Sequence, residues 1–338
     1  MQEIRQTGSY QQQDALAHFA DLPQSHRSAS SQHMNSSRMA TALGNMEAPT
    51  VTTHDGAVLA YKIHGVAGGG TPVMVIPGLY QVKEDLEELG VGIARNRQVC
   101  ISDPRGMGQS IQTKPFPPST TPPEITLVQL ATDVFDIILS LGWKRIILAG
   151  VGYGGTIAQH LALLLRGRDD IHLEGLVLVA SAPLTPSRGS LSRETLKMLQ
   201  GASNGQSVSM DKAREWITTN LSTVYCSTES QKVDRLVEEF IGRRRDARIG
   251  EEQVFSLDGI NLTDQLGLLC IPTLIVHGKN DAMIDCWYAT VLADLIARSS
   301  LVLLPDVGHW VHVMALSRLT EETLQFIDGV SSQFSHSD

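Results

Sequence analysis

The sequence is short of several features that often betray a function. Its four cysteines, Cys100, Cys226, Cys270 and Cys286, are scattered without C-x-x-C spacing. Neither a zinc site nor a disulfide framework is therefore expected, and reduced thiols in a cytoplasmic protein are. No apolar run approaches the length that crosses a bilayer, and the first residues lack a charged n-region followed by an apolar h-region; neither a membrane span nor secretion is expected. Positive charge is in deficit, with 27 Lys and Arg against 36 Asp and Glu and a net charge of −9. Such a surface repels a phosphate backbone, which argues against nonspecific nucleic-acid binding. Aromatic residues, at 5% of the chain, single out no substrate. What is present in quantity is core material: 42% hydrophobic and 19% charged residues over 338 positions, enough for one large α/β domain with an insertion or for two domains.

Residues 1–49 are rich in Gln, Ser, His and Met and have little periodicity, the composition of a disordered or loosely docked tail with at most one short helix near Asp14 to Asp21. A hairpin is expected next, Val51 to Thr53 and Val58 to His64 around Asp55-Gly56. Short apolar runs at Pro72 to Ile76, Gln98 to Ser102, Arg145 to Ala149, Leu176 to Ala180, Thr273 to Val276 and Leu301 to Leu304 read as strands. Between them, helical spacing appears at 84–95, Thr126 to Leu141, Cys286 to Arg298 and Ala315 to Ile327. Five prolines between Gln109 and Glu124 make that loop irregular. From about Pro183 to Leu269 the chain is helical, polar and charged with no convincing strand. The alternation implies a mostly parallel, doubly wound sheet covered on both faces, interrupted by an inserted helical lid.

The stretch around which the chain is organised is Lys144 to Leu165, KRIILAGVGYGGTIAQHLALLL: a β-branched run, a glycine cluster, then an apolar helix. Two signatures fit the turn. One is the nucleophile elbow G-x-S-x-G, here Gly150-Val151-Gly152-Tyr153-Gly154 with glycine at the apex. The other is the dinucleotide fingerprint G-x-G-x-x-G, met by Gly150, Gly152 and Gly155. A dinucleotide fold wants an acid at the end of the next strand; Ala180-Ser181-Ala182 offers none, and Asp169 and Asp170 precede that strand.

Polar residues just beyond the carboxyl ends of strands mark the functional edge of such a sheet. Here they are Pro77-Gly78-Leu79, His277-Gly278-Lys279-Asn280-Asp281 and Pro305-Asp306-Val307-Gly308-His309-Trp310. Together with Asp103-Pro104-Arg105-Gly106-Met107-Gly108-Gln109-Ser110, and in the order elbow, acid, histidine, these motifs resemble the α/β-hydrolase superfamily over about residues 50–330. The resemblance implies a core at 50–183 and 271–330 with a lid at 184–270. It implies His309 as general base and Asp281 as the carboxylate that fixes its tautomer, with Asp285 as the alternative acid. It also implies an oxyanion hole of the backbone N–H groups of Tyr153 and Leu79, and a structural role for Asp103 and Arg105, whose loop holds itself together by an ion pair and glycine turns. No cofactor and no metal is called for, and the expected partner is a small-molecule substrate.

The departure is Gly152, which stands at the nucleophile position and has no heteroatom to attack with. Three readings follow: His309 and Asp281 act as an acid–base pair on water or on a substrate proton; the chain keeps the cavity for binding alone; or a serine has been removed by engineering. Tyr153, Ser181 and Cys286 are conceivable substitute nucleophiles, though packing or surface roles fit each better. The favoured function is chemistry on a small carbonyl- or ester-containing metabolite, in a biosynthetic route. Arg243-Arg244-Arg245 reads as a solvated helix face before it reads as an anion site. His160 and Met198 read as core, and Trp310 and Trp216 as pocket walls or lid packing.

Overall fold

The computed structural model describes residues 48–112, 125–184, 208–257 and 259–334. The expected tail and its short helix, the proline-rich loop from 113 to 124, Met198 and the first part of the expected lid (185–207) lie outside the described residues.

Eight strands form one sheet: β1 (Thr50–Thr52), β2 (Val58–His64), β3 (Val73–Ile76), β4 (Val99–Ser102), β5 (Arg145–Val151), β6 (His172–Val179), β7 (Thr273–Gly278) and β8 (Ser299–Leu304). Their spatial order is β1-β2-β4-β3-β5-β6-β7-β8. The hairpin β1–β2 is antiparallel and attaches antiparallel to β4. From β4 to β8 every pairing is parallel. Most of the sequence-derived strands are found close to their expected bounds; β6 starts at His172 and β8 at Ser299, each earlier than expected, because polar residues at a strand's entry break the apolar pattern without breaking the ladder.

The helices of the core are α1 (Glu87–Ile93), entered through a 3₁₀ turn at Lys83–Leu86, α2 (Leu127–Ser140) and α3 (Tyr153–Leu164). Between β6 and β7 come the lid helices α4 (Met210–Asn220), α5 (Thr223–Thr228), α6 (Ser230–Gly242), α7 (Ala247–Ser256) and α8 (Thr263–Leu266). The core resumes with α9 (Trp287–Leu295), α10 (Val311–Met314) and α11 (Leu316–Phe334). Thr126 caps α2 by accepting from Gln129 N–H, as a β-region residue with a short oxygen does.

Alternation along the strands splits the core in two. Val73 and Val75 join Ile147 and Ala149 on the face packed by α1 and α11, while Met74 and Ile76 join Leu148 on the face packed by α2 and α3. Burial on both faces is why β3 and β4 read as unbroken apolar runs rather than as alternating ones. Being parallel, β3, β5, β7 and β8 deliver the loops that follow them to one carboxyl edge, and lid residues bond to those loops, Gln253 to Tyr80 N–H and Asn220 to Trp310 N–H.

Candidate active site

At the end of β5 the chain reverses into α3 through Gly152, whose φ of +53° and ψ of −117° lie where a side chain is strained. The turn is tight because strand and helix nearly touch. A Cβ on Gly154 would stand 2.1 Å from the Ile76 carbonyl oxygen, so only glycine lets α3 pass β3 at this distance. A Cβ built on Gly152 itself would point at His309, 2.9 Å from Nε2.

His309 is presented by the loop after β8 and is largely buried. Its Nδ1 lies 2.8 Å from Asp281 Oδ2. A carboxylate accepts only, so the imidazole donates from Nδ1 and carries its lone pair on Nε2, facing the glycine apex. Asp281 sits in the loop after β7 with its side chain out of solvent. Its Oδ1 accepts from the backbone N–H groups of Met283 and Ile284, each at 2.8 Å. Its Oδ2 also lies 3.0 Å from Nε2 of His277. Burial alone raises a carboxyl pKa, but the charge interaction with His309 and the hydrogen bonds from His277 and His309 outweigh it and hold Asp281 well below the usual carboxylate range. The carboxylate is thus ionised and fixed in place by two backbone donors and by His309, with His277 beside it, whose Nε2 also lies 3.0 Å from the Ile284 carbonyl oxygen.

A model of the alpha/beta hydrolase fold matches residues 71–315, well over half of the chain and all of these loops. The chain belongs to the α/β-hydrolase fold family. It is similar to a non-heme haloperoxidase of Rhodococcus erythropolis, 23% identical over 83% of this chain and 99% of the relative. It is also similar to a serine hydrolase of Mus musculus, 25% identical over 81% of this chain and 87% of the relative. Among solved structures, a thermophilic esterase from Thermogutta terrifontis superposes with a TM-score of 0.70 over 85% of this chain and the whole of that one, at 21% identity, a likeness that speaks to the fold.

In this α/β-hydrolase chain the alternative acid is set apart: Asp285 is exposed and accepts from Trp287 N–H at 2.8 Å, at the start of α9. Tyr153, a candidate oxyanion-hole residue with Leu79, is the first residue of α3, and Leu79 lies in the loop after β3. The phenol of Tyr153 is buried and bonded to Ser256 Oγ of α7 at 2.6 Å, and burial pushes its pKa far up, which removes it as a nucleophile. Ser181 is buried and accepts from Gln159 Nε2 at 3.1 Å. Cys286 is half-buried at the start of α9.

Three residues near the site have no role assigned from the sequence. His277 closes β7 and meets Asp281 four residues on; its place beside the acid loop was a usable signal. Gln81 accepts from Gly78 N–H at 2.7 Å through Oε1, so its Nε2 must donate to His312 Nε2, 3.1 Å away. His312 is then neutral with its proton on Nδ1, in keeping with a pKa that burial pushes down to about 4. This pair braces the loop that carries Leu79, and no spacing rule links positions 81 and 312.

Two expectations need correcting. Asp103 and Arg105 do not pair with each other: Asp103 takes Lys83 Nζ at 2.7 Å and Gln109 N–H at 2.8 Å, while Arg105 is bound to Asp133 and to Asp55 at 3.0 Å. Glycine-rich turns and the bonds from Gln109 N–H and Ser110 Oγ to Asp103 do hold the loop together, but the ion-pair partners come from other elements. The arginine run is not a solvated face either. Arg245, 2% exposed, donates to both oxygens of Asp85 and to the Tyr80 carbonyl oxygen at 2.9 Å, and lies over the Phe240 ring. Arg243 also reaches Asp85, and Arg244 reaches the Ser110 carbonyl oxygen. These three side chains fasten the lid to the core. His160 is buried in α3, and burial pushes its pKa down to about 4. Among the described residues no helix is long and apolar enough to cross a membrane.

Proposed function

We propose that this chain is a small-molecule enzyme in which Gly152 stands where serine hydrolases carry their nucleophile, and in which His309, oriented by Asp281, works as a general base without a covalent intermediate. The substrate is a carbonyl- or ester-containing metabolite, in line with the hydrolases, esterase and enol-lactonase among similar proteins. A cytoplasmic setting and a place in a biosynthetic route belong to the same proposal. The observation that supports it is the direction of His309 Nε2: 2.9 Å from the Cβ position of Gly152, with Nδ1 held by a buried carboxylate.

In this reading the reacting carbonyl lies with its oxygen at the N–H groups of Leu79 and Tyr153, which stabilise negative charge as it develops there. His309 Nε2 takes a proton either from water, whose oxygen then adds to the carbonyl carbon, or from the carbon next to the carbonyl. In the ester case the tetrahedral intermediate expels an alkoxide, and His309 returns the proton to it. Asp281 holds the ring and balances the imidazolium charge while the proton is on Nε2.

A second reading, ligand binding without turnover, draws on the same glycine, since no side-chain atom at 152 can form an acyl-enzyme. Three assays separate them: ester hydrolysis, α-proton exchange of ketones in deuterated water, and labelling by a fluorophosphonate. The parent chain is expected to catalyse one of the first two and to lose it in His309→Ala, with no labelling. If only Gly152→Ser is active and labelled, the scaffold is a hydrolase lacking its nucleophile. If no form turns over and a ligand still raises the melting temperature, binding is the function.

A further inference from the structure

Two lid helices meet the loop that follows β3, and each brings a buried hydrogen-bond donor with no partner. On α7, Gln253 is out of solvent and its Oε1 lies 3.1 Å from the backbone N–H of Tyr80, the residue after Leu79. An N–H can only donate, so the atom it meets is the amide oxygen, and the amide orientation is fixed. The NH₂ group is thereby left over, and Nε2 has no acceptor. One turn further on, Ser256 binds the Tyr153 phenol. α7 therefore reaches from the elbow to the oxyanion loop. On α4, Trp216 is 4% exposed and packs edge-on to Tyr80 with ring centroids 6.4 Å apart. Asn220, one turn along the same helix, accepts from Trp310 N–H at 2.9 Å, beside His309. α4 therefore reaches from the histidine loop to the oxyanion loop, and Trp216 Nε1 is also buried without a partner.

Buried polar groups are nearly always satisfied, and here the Tyr80 hydroxyl and the donors on either side of it are all left over under the lid, which calls for a polar group of the ligand. We propose that Gln253 Nε2 and Trp216 Nε1 form a substrate-binding subsite that receives a second, uncharged carbonyl oxygen of the substrate, one chain segment away from the reacting carbonyl. This rests on the general-base reading of the site. Both groups donate and neither carries charge, so the matching group is an acceptor without charge. The charges felt by the Tyr80 phenol agree: Asp246 and Glu251 are acidic, and Arg245 is already bound to Asp85. Among the described residues named here a carboxylate would gain no unpaired cation, whereas a ketone, ester or amide oxygen needs none.

Methyl levulinate and methyl pentanoate differ by one ketone oxygen and make suitable probes. Isothermal titration of the parent chain is expected to show methyl levulinate binding about tenfold tighter, the worth of one to two neutral hydrogen bonds. Gln253→Glu keeps the acceptor for Tyr80 N–H but removes the donor, and Trp216→Phe removes the indole N–H together with part of the ring; each is expected to reduce the ketone preference, and the double variant to abolish it. Because Trp216→Phe also loses buried ring volume, its control is the ratio of the two affinities: lost packing alone weakens both esters alike, whereas loss of the N–H weakens only the ketone. Equal affinity for the two esters in the parent, no binding of either, or a preference that survives in the double variant would overturn the proposal. If the preference holds in the parent and in His309→Ala but neither turns over a carbonyl compound, the subsite stands and the general-base reading falls.

Discussion

The loops after β7 and β8 and the turn after β5 meet at the same sheet edge and are equipped in opposite ways. On the first side a carboxylate is buried, ionised and held by two backbone donors and His309, with His277 beside it, and it fixes one imidazole tautomer. On the other side the apex residue contributes backbone only. Removing a carboxylate from water is costly, and the donors around Asp281 offset that cost. The contrast teaches that a proton-handling arrangement can be kept in full while the attacking group is not, and this is what makes general-base chemistry the stronger reading.

The comparison can be broken most forcefully on its well-equipped side. Asp281→Asn is expected to lower any turnover by roughly 10⁴, because the imidazole then takes the wrong tautomer; steady-state rates of the parent and variant check it. The same carboxyl has a stability signature. Its pKa is depressed in the folded chain, so its ionised form stabilises the fold at all pH values above the unfolded pKa, about 4, and that contribution fades as the pH falls below it. Urea melts should therefore show a deficit for Asp281→Asn that is full at neutral pH and shrinks in acid.

Filling the other side is the next largest effect. Gly152→Ser places a side chain at φ +53° and 2.9 Å from His309 Nε2, and should cost about 1–3 kcal/mol of stability while creating a serine that a fluorophosphonate labels. Arg245→Ala loosens the lid above both sides; losing charge-assisted hydrogen bonds to Asp85 should cost about 1.5–3 kcal/mol, read from denaturant unfolding. The smallest effect sharpens the choice of acid: Asp285→Asn, at an exposed residue, should leave turnover unchanged and stability within about 0.5 kcal/mol.

Much of this was legible in the residues because it is local. β-branched runs ending in glycine-containing loops mark the parallel strands, and the order of the loops brings Gly152, Asp281 and His309 to one edge once the strands are parallel. What the chain does not announce are contacts set by the rotation of lid helices about their axes. Arg243 to Arg245 look like a surface run, and only the packing of α6 and α7 against Tyr80 and Asp85 turns them inward. Gln253 and Ser256 are ordinary polar positions on an ordinary helix until α7 is laid across the loops carrying Tyr80 and Tyr153. The His312–Gln81 brace joins residues 231 positions apart. Such pairings depend on tertiary geometry, to which periodicity and motif spacing are blind.

The central claim is that His309 holds its proton on Nδ1 and offers an unprotonated Nε2 to the space above Gly152. A nitrogen-15 and proton spectrum of the histidine rings, recorded near neutral pH on the parent chain and on Asp281→Asn, tests this without a substrate. The account predicts a slowly exchanging proton on His309 Nδ1 that disappears in the variant, with no proton on Nε2. A proton found on Nε2 in the parent chain, or an Nδ1 signal indifferent to the loss of Asp281, would contradict it.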